Sequence, residues 1–246
     1  CRNNVRQILV GITSHQSLTG AFPPGVEYDR ARGMNNYNDS RASFLVHTLP
    51  YLELPGVAAM FDWGKSWHPP NLQTSWPNTA ICGTRVPLFI CPSSPTAGRA
   101  TTNYSGRGDH ATNYMGVLGP KGFNRAAERN YATETTDTMH GGYSLEGAFS
   151  RNRRHGPGEF RDGLSTALMI GEMSWIEHPF HPWAGGLSDG WAYTPVLRNV
   201  VYPLKTYTFS FAEGRLGAND VSFGGAHAGS TVFGMGPAET DVVGSQ

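Results

Sequence analysis

The chain has 246 residues, with 19 Lys plus Arg against 19 Asp plus Glu and a formal net charge of zero. Only 15% of the residues are charged, which excludes the broad basic face that nucleic acid or an anionic membrane surface would require. Its 31 glycines and 17 prolines are spread along the chain, predicting a loop-rich single domain over 1–246 rather than two domains joined by a linker.

The opening segment, CRNNVRQILVGITSHQSLTG, carries Val5, Ile8, Leu9 and Ile12 at the i, i+3, i+4, i+7 spacing of one helical face. It predicts an amphipathic helix to about Ser17, stopped by Gly20, Pro23 and Pro24, whose four apolar side chains pack on the body that follows. The sequence enters this pattern in mid-helix on a cysteine, so a preceding segment is expected in the natural precursor. A polar, Asn-rich stretch comes next, and RASFLVHTLPYLEL predicts a second, short helix kinked by Pro50 and ended by Pro55. Two helices are thus expected before any sheet. RVPLFICPSSP reads as a short buried strand stopping at Pro92.

Beyond Pro95 the pattern becomes short strand-like pieces between glycines: NYMGVLG, YSLEGAFS, TALMIGEMSW, VVYPLKTYTFSF and STVFGMG. In KTYTFSF, Tyr207, Phe209 and Phe211 alternate with Thr206, Thr208 and Ser210, the period of a strand with one buried face. No long helical crossovers separate these pieces, so antiparallel pairing is expected. The predicted class is α+β: an N-terminal helix (1–19), a helical and loop region (20–95) and a β-rich head (96–246), with the helix packed on an irregular antiparallel sheet carrying long Gly/Pro-rich loops.

Three cysteines, Cys1, Cys82 and Cys91, cannot all pair within one molecule, and their spacing matches neither a zinc site nor a redox C-x-x-C. In an oxidising compartment one disulfide and one free thiol follow, with Cys91 bridged to either Cys1 or Cys82. The longer of these loops would staple the first helix to the body.

Few residues suggest chemistry. GLSDG formally fits the nucleophile elbow with Ser188 as nucleophile. That motif requires a strand entering and a helix leaving, and EHPFHPWAG before it and WAYTPV after it supply neither, so a surface turn is the better reading. EHPFHPW brings Glu177, His178 and His181 together, but Pro179 and Pro182 oppose the helix that would place both histidines on one face; a Pro-rich loop competes with a metal site there, and whether a metal binds is left open. His110 and His155, among Gly, Arg and Asp, read as exposed, and RNRRHGPG as a solvated basic turn. Trp63, Trp67 and Trp76 cluster in one segment, and Trp175, Trp183 and Trp191 in another. They suit a stacking platform for a glycan as well as a core. No cofactor motif is present, because the glycine-rich stretches do not lie between a strand and a helix.

CRNNVRQI with FPPG downstream, HTLPYLEL, PLFICPSSP, ATNYMGVLG and FRDGLSTALMIGE occur in that order over nearly the whole chain. In this arrangement the sequence resembles the DUF1559 pilin-like proteins abundant in planctomycetes, whose precursors carry a prepilin-type cleavage and methylation segment. The resemblance implies an apolar helix directly ahead of the block matched by Cys1 to Ile8, a cell-envelope location facing outward, and a structural role. Self-association, or packing with other pilin-like subunits, would run through the N-terminal helix, and membrane contact through the segment preceding it. The family's C-terminal H-X9-DG signature falls on His227, but Pro237 and Ala238 stand where Asp-Gly is expected. An extracellular carbohydrate-binding protein or hydrolase using the Trp-rich loops is the alternative function.

Overall fold

A computed structural model describes residues 1–28, 40–65, 78–95, 110–134, 140–175, 183–185, 196–210, 213–227, 229–236 and 242–243. Helix α1 spans Arg2–Thr19, with Val5, Ile8, Leu9 and Ile12 all buried. Each such side chain contributes about 1.5–3 kcal/mol relative to leaving it in water, and this stripe, not intrinsic propensity, holds the helix in place. Gly20 ends it in the left-handed region, φ 83°, and its N–H donates to Gln16 O at 2.8 Å.

Two short antiparallel strands follow, β1 (Val26–Tyr28) and β2 (Ser40–Ser43), before α2 (Phe44–Thr48). A small sheet therefore precedes the second helix, contrary to the expectation of two helices first. Leu49–Tyr51 continues α2 as a 3-10 turn through Pro50, while Pro55 opens rather than closes a helix, α3 (Pro55–Ala58). Proline at a first helical position has no intrahelical bond to lose. After α4 (Thr79–Cys82), the stretch read as a strand at RVPLFIC is a 3-10 turn, Pro87–Phe89, because Pro87 occupies its first position.

The head contains β3 (Tyr114–Pro120), β4 (Phe123–Asn124), β5 (Arg129–Asn130), β6 (Thr133–Glu134), β7 (Tyr143–Ser144), β8 (Leu168–Glu172), β9 (Leu197–Val200), β10 (Val232–Met235) and β11 (Val242–Val243). The central sheet has the order β11-β10-β8-β3-β9. β3, β8, β10 and β11 pair antiparallel, but β9 joins β3 in parallel, with Gly116 opposite Leu197. The sheet is thus mixed. β4–β5 and β6–β7 are small separate hairpins. Residues 205–210, the described part of KTYTFSF, form no strand: Ser210 makes an isolated bridge to Arg215, and Tyr207 stacks on Tyr202 with 4.2 Å between ring centroids.

Alternation along the strands divides the core in two. On one face Gly234 lies opposite Ile170, and a Cβ there would fall within 2.9 Å of Leu9, Ile170 and Val5. Its lack of a side chain lets α1 lie directly on the sheet. Gly171 faces the other side, against Phe223 and Phe233, in a smaller cluster with Met115, Val117, Met173 and Val221. A polar network closes the far edge. Lys121 Nζ donates to Asp220 Oδ1 and Oδ2 at 2.9 and 2.7 Å, and Asn199 Nδ2 donates to Asp220 Oδ1 at 2.6 Å. Burial holds the Asp220 carboxyl above its ordinary value despite the lysine.

Candidate functional site

The densest chemistry in the described residues lies where α1 begins. Cys1 is bonded to Cys91 across 90 residues, with Cα atoms 5.3 Å apart, which selects the longer of the two pairings; Cys82 is buried and outside the disulfide. Cys91 follows the 3-10 turn Pro87–Phe89, and its N–H donates to Asn113 Oδ1 at 2.9 Å while Asn113 Nδ2 donates to Ser94 Oγ at 3.3 Å. Asn4 Nδ2 donates to Ile90 O at 3.0 Å beside it. The first turn of the helix is therefore tied to this loop by both a covalent bond and a hydrogen bond.

Against the disulfide stand two residues from separate segments of the head, Glu172 and His227. Glu172 is the last residue of β8, paired in register with Tyr114, and is fully buried on the α1 face. Its Oε1 accepts from Ser174 Oγ at 2.6 Å, and Oε2 lies 3.4 Å from the Val232 N–H. A Cβ at Gly225 would come within 2.9 Å of Oε2, so the backbone at 225 can close over the carboxylate only as glycine. His227 follows on that loop, its side chain 30% exposed, with Nε2 3.4 Å from Glu172 Oε1 and 3.5 Å from Cys91 Sγ. Lys205 Nζ donates to His227 O at 3.2 Å, and the Ala226 N–H donates to Ser174 Oγ at 2.8 Å. Burial, followed by the nearby Glu172 charge, pushes the Tyr114 phenol upward, so it stays neutral under any physiological condition.

One ligand-type atom from each of Cys1, Cys91, Glu172 and His227 lies within 4.8 Å of every other. A family model described as "Protein of unknown function (DUF1559)", short name SBP_bac_10, matches residues 1–243. The chain belongs to the DUF1559 family. No curated protein and no solved structure matches it. In this DUF1559 member His227 is thus part of a structured cluster.

The remaining candidates scatter. Val5, Ile8, Leu9 and Ile12 line the buried face of α1. Trp183 is a core residue, packed on Phe89 at 5.1 Å between centroids with Nε1 donating to Thr84 O at 3.0 Å, and offers no face for stacking. Trp63 is half exposed beside Phe61 and His47. Trp67, Trp76, Trp191, Ser188, Glu177, His178, His181, Pro237 and Ala238 lie outside the described residues. His155, read as exposed, is buried: its Nε2 lies 2.8 Å from Ser150 Oγ and its Nδ1 3.1 Å from Glu159 Oε2. The basic turn is likewise not simply solvated, since Arg151 stacks over the Tyr143 ring at 4.2 Å and Arg153 pairs with Glu159.

Glu172 is the residue that sequence reasoning missed. Its signal lies in IGE, where Ile170 and Glu172 share one face by period two. A carboxylate on a face otherwise committed to the core requires a partner.

Proposed function

We propose that this DUF1559 chain is a pilin-like or pseudopilin-like subunit of a cell-envelope assembly, held by its N-terminal helix with the head facing outward. The observation that carries the reading is the Cys1–Cys91 bond at the first turn of α1. A helix that links a head to a membrane or filament transmits load at the point where it leaves the head. Packing alone would resist that load through the stripe of Val5, Ile8, Leu9 and Ile12; a covalent bond there keeps the first turn from peeling away. Among the described residues no helix is long and apolar enough to cross a membrane, so in this reading the membrane or filament contact belongs to the apolar segment that the family resemblance places ahead of Cys1.

The test is expression of the full precursor in an envelope with a prepilin peptidase, followed by membrane fractionation and electron microscopy. Filaments or membrane-held oligomers, cross-linkable through cysteines placed on the outer face of α1 at Val10 or Gln7, are expected. A head released as a free monomer would overturn the reading.

A further inference from the structure

We propose that Cys1, Cys91, Glu172 and His227 form a zinc site when the two cysteines are reduced, so that the clamp on α1 has a metal form as well as a disulfide form.

The geometry favours metal ligation over a hydrogen-bonded triad. The 3.4 Å between His227 Nε2 and Glu172 Oε1 is long for a hydrogen bond between such groups, and Cys91 Sγ lies 3.5 Å from the same nitrogen. Both separations are, however, close to the edges of a tetrahedron about zinc. With bonds of about 2.3 Å to sulfur, 2.0–2.1 Å to imidazole nitrogen and 2.0–2.2 Å to carboxylate oxygen, the sulfur–nitrogen edge is about 3.5 Å and the nitrogen–oxygen edge about 3.3–3.5 Å. Two of the six edges are therefore already near those lengths with the disulfide closed, all four ligand atoms lie within 4.8 Å of one another, and on reduction the sulfurs part to about 3.8 Å.

The surroundings are those of a held ligand set. Ser174 Oγ fixes Glu172, Asn113 fixes the Cys91 backbone, and Lys205 fixes the His227 carbonyl, which is how surrounding groups orient metal ligands. Glu172 is completely buried, yet ends among sulfur and imidazole instead of a guanidinium or ammonium group. Such a carboxylate is costly without a cation. The half-turned-out His227 leaves an entry side.

The two forms exclude each other. Two equivalents of a thiol reduce the Cys1–Cys91 bond, each cysteine sulfur gaining an electron and a proton while the two reductant sulfurs join as a new disulfide. Zinc then displaces the two thiol protons to solvent and takes a lone pair from each thiolate, from His227 Nε2 and from a Glu172 oxygen, with no change of oxidation state. This inference stands apart from the envelope role: either can fail without the other.

The test reduces the chain in denaturant with a phosphine, which itself takes up oxygen from water, and refolds it with and without one equivalent of zinc, with cobalt(II) as spectroscopic probe. One metal per chain is expected, with thiolate charge-transfer bands and tetrahedral ligand-field bands in the cobalt form. The oxidised chain should bind none. His227→Ala, at a partly exposed position, should weaken binding by more than about 100-fold, and Ser174→Ala by about 10-fold. Both variants are first shown by circular dichroism to fold in the oxidised state. Failure of the reduced wild type to bind one metal overturns the proposal. So does equal affinity in His227→Ala, which would mean that the cysteines alone capture the ion.

Discussion

Removing the Cys1–Cys91 bond is the sharpest test of how α1 is held. The bridge closes a loop with a sequence separation of 90, so the chain-entropy relation gives about 4.6 kcal/mol at 25 °C from restricting the unfolded chain. The same relation applied to the local loop between Cys82 and Cys91 gives about 2.6 kcal/mol, so the two pairings predict different losses. For a chain of this size 1 kcal/mol moves the midpoint of thermal unfolding by about 2–4 °C. Cys1→Ser in the oxidised, metal-free protein should therefore lower the midpoint by about 9–18 °C and raise the denaturant m-value, because the freed unfolded chain exposes more surface. Differential scanning calorimetry and urea titration read both quantities. Cys82→Ser, which breaks no bridge, should stay within a few degrees of wild type. A fall of less than about 4 °C for Cys1→Ser, or the larger fall appearing for Cys82→Ser instead, would refute the assignment of the clamp.

Other substitutions test the packing around it. Ile8→Ala should cost about 2–5 kcal/mol in urea unfolding, whereas Val10→Ala, 59% exposed on the same helix, should remain within about 0.5 kcal/mol. Gly234→Ala places a methyl within 2.9 Å of Leu9, Ile170 and Val5 and should cost about 1–3 kcal/mol, with faster hydrogen exchange in α1 by mass spectrometry. Lys121→Met strands the Asp220 carboxylate, and because the pair keeps slight exposure the loss should be on the order of 2–3 kcal/mol, below that of a fully buried pair. Burial holds His15 below its ordinary value of 6.5, against the hydrogen bond with Ala21 O and helped by the charges of His47 and Arg154. As the pH falls through about 6.5 the unfolded chain takes up the proton first, so stability present above that value is lost towards the lower folded value. His15→Gln should flatten this part of a pH series of unfolding midpoints.

Where one side of an element faces water, the sequence was readable. The 3.6-residue spacing of Val5, Ile8, Leu9 and Ile12 marks α1 because its outer face is polar, and Gly20 marks its end because no other residue takes φ 83° so readily. The hairpins and the parallel partner of β3 were not readable. Strands of two to four residues have too few positions to show a period, and β9 reaches β3 from 80 residues away through a pairing that local pattern does not encode. KTYTFSF fails for the opposite reason. Its alternation is real, but Ser222 occupies the backbone that a partner strand would use, accepting from Tyr207 N–H at 2.9 Å and donating its own N–H to Tyr207 O at 3.0 Å. Proline misled at Pro55, where a residue that ends helices also begins them, and at Pro87 the apolar run was read as a strand although the proline opens a 3-10 turn.

The cluster at the head of α1 escaped sequence reading because its four members are spread across the chain, at positions 1, 91, 172 and 227, and no local spacing joins them. What joins them is the sheet. The end of β8 presents Glu172 on the same face as Ile170, which touches the place where Val5 and Leu9 of α1 settle over Gly234. Packing of the apolar stripe thus fixes the height of Cys1 above the carboxylate, and the loop through Gly225 brings His227 to the same point. A change that tilts α1, such as Gly234→Ala, should consequently loosen the polar cluster before it exposes the core. Disulfide reduction rates for that variant should rise relative to wild type at temperatures where both remain folded. Equal rates would show that the clamp is positioned by the loop at Cys91 alone and that the helix packing has no part in it.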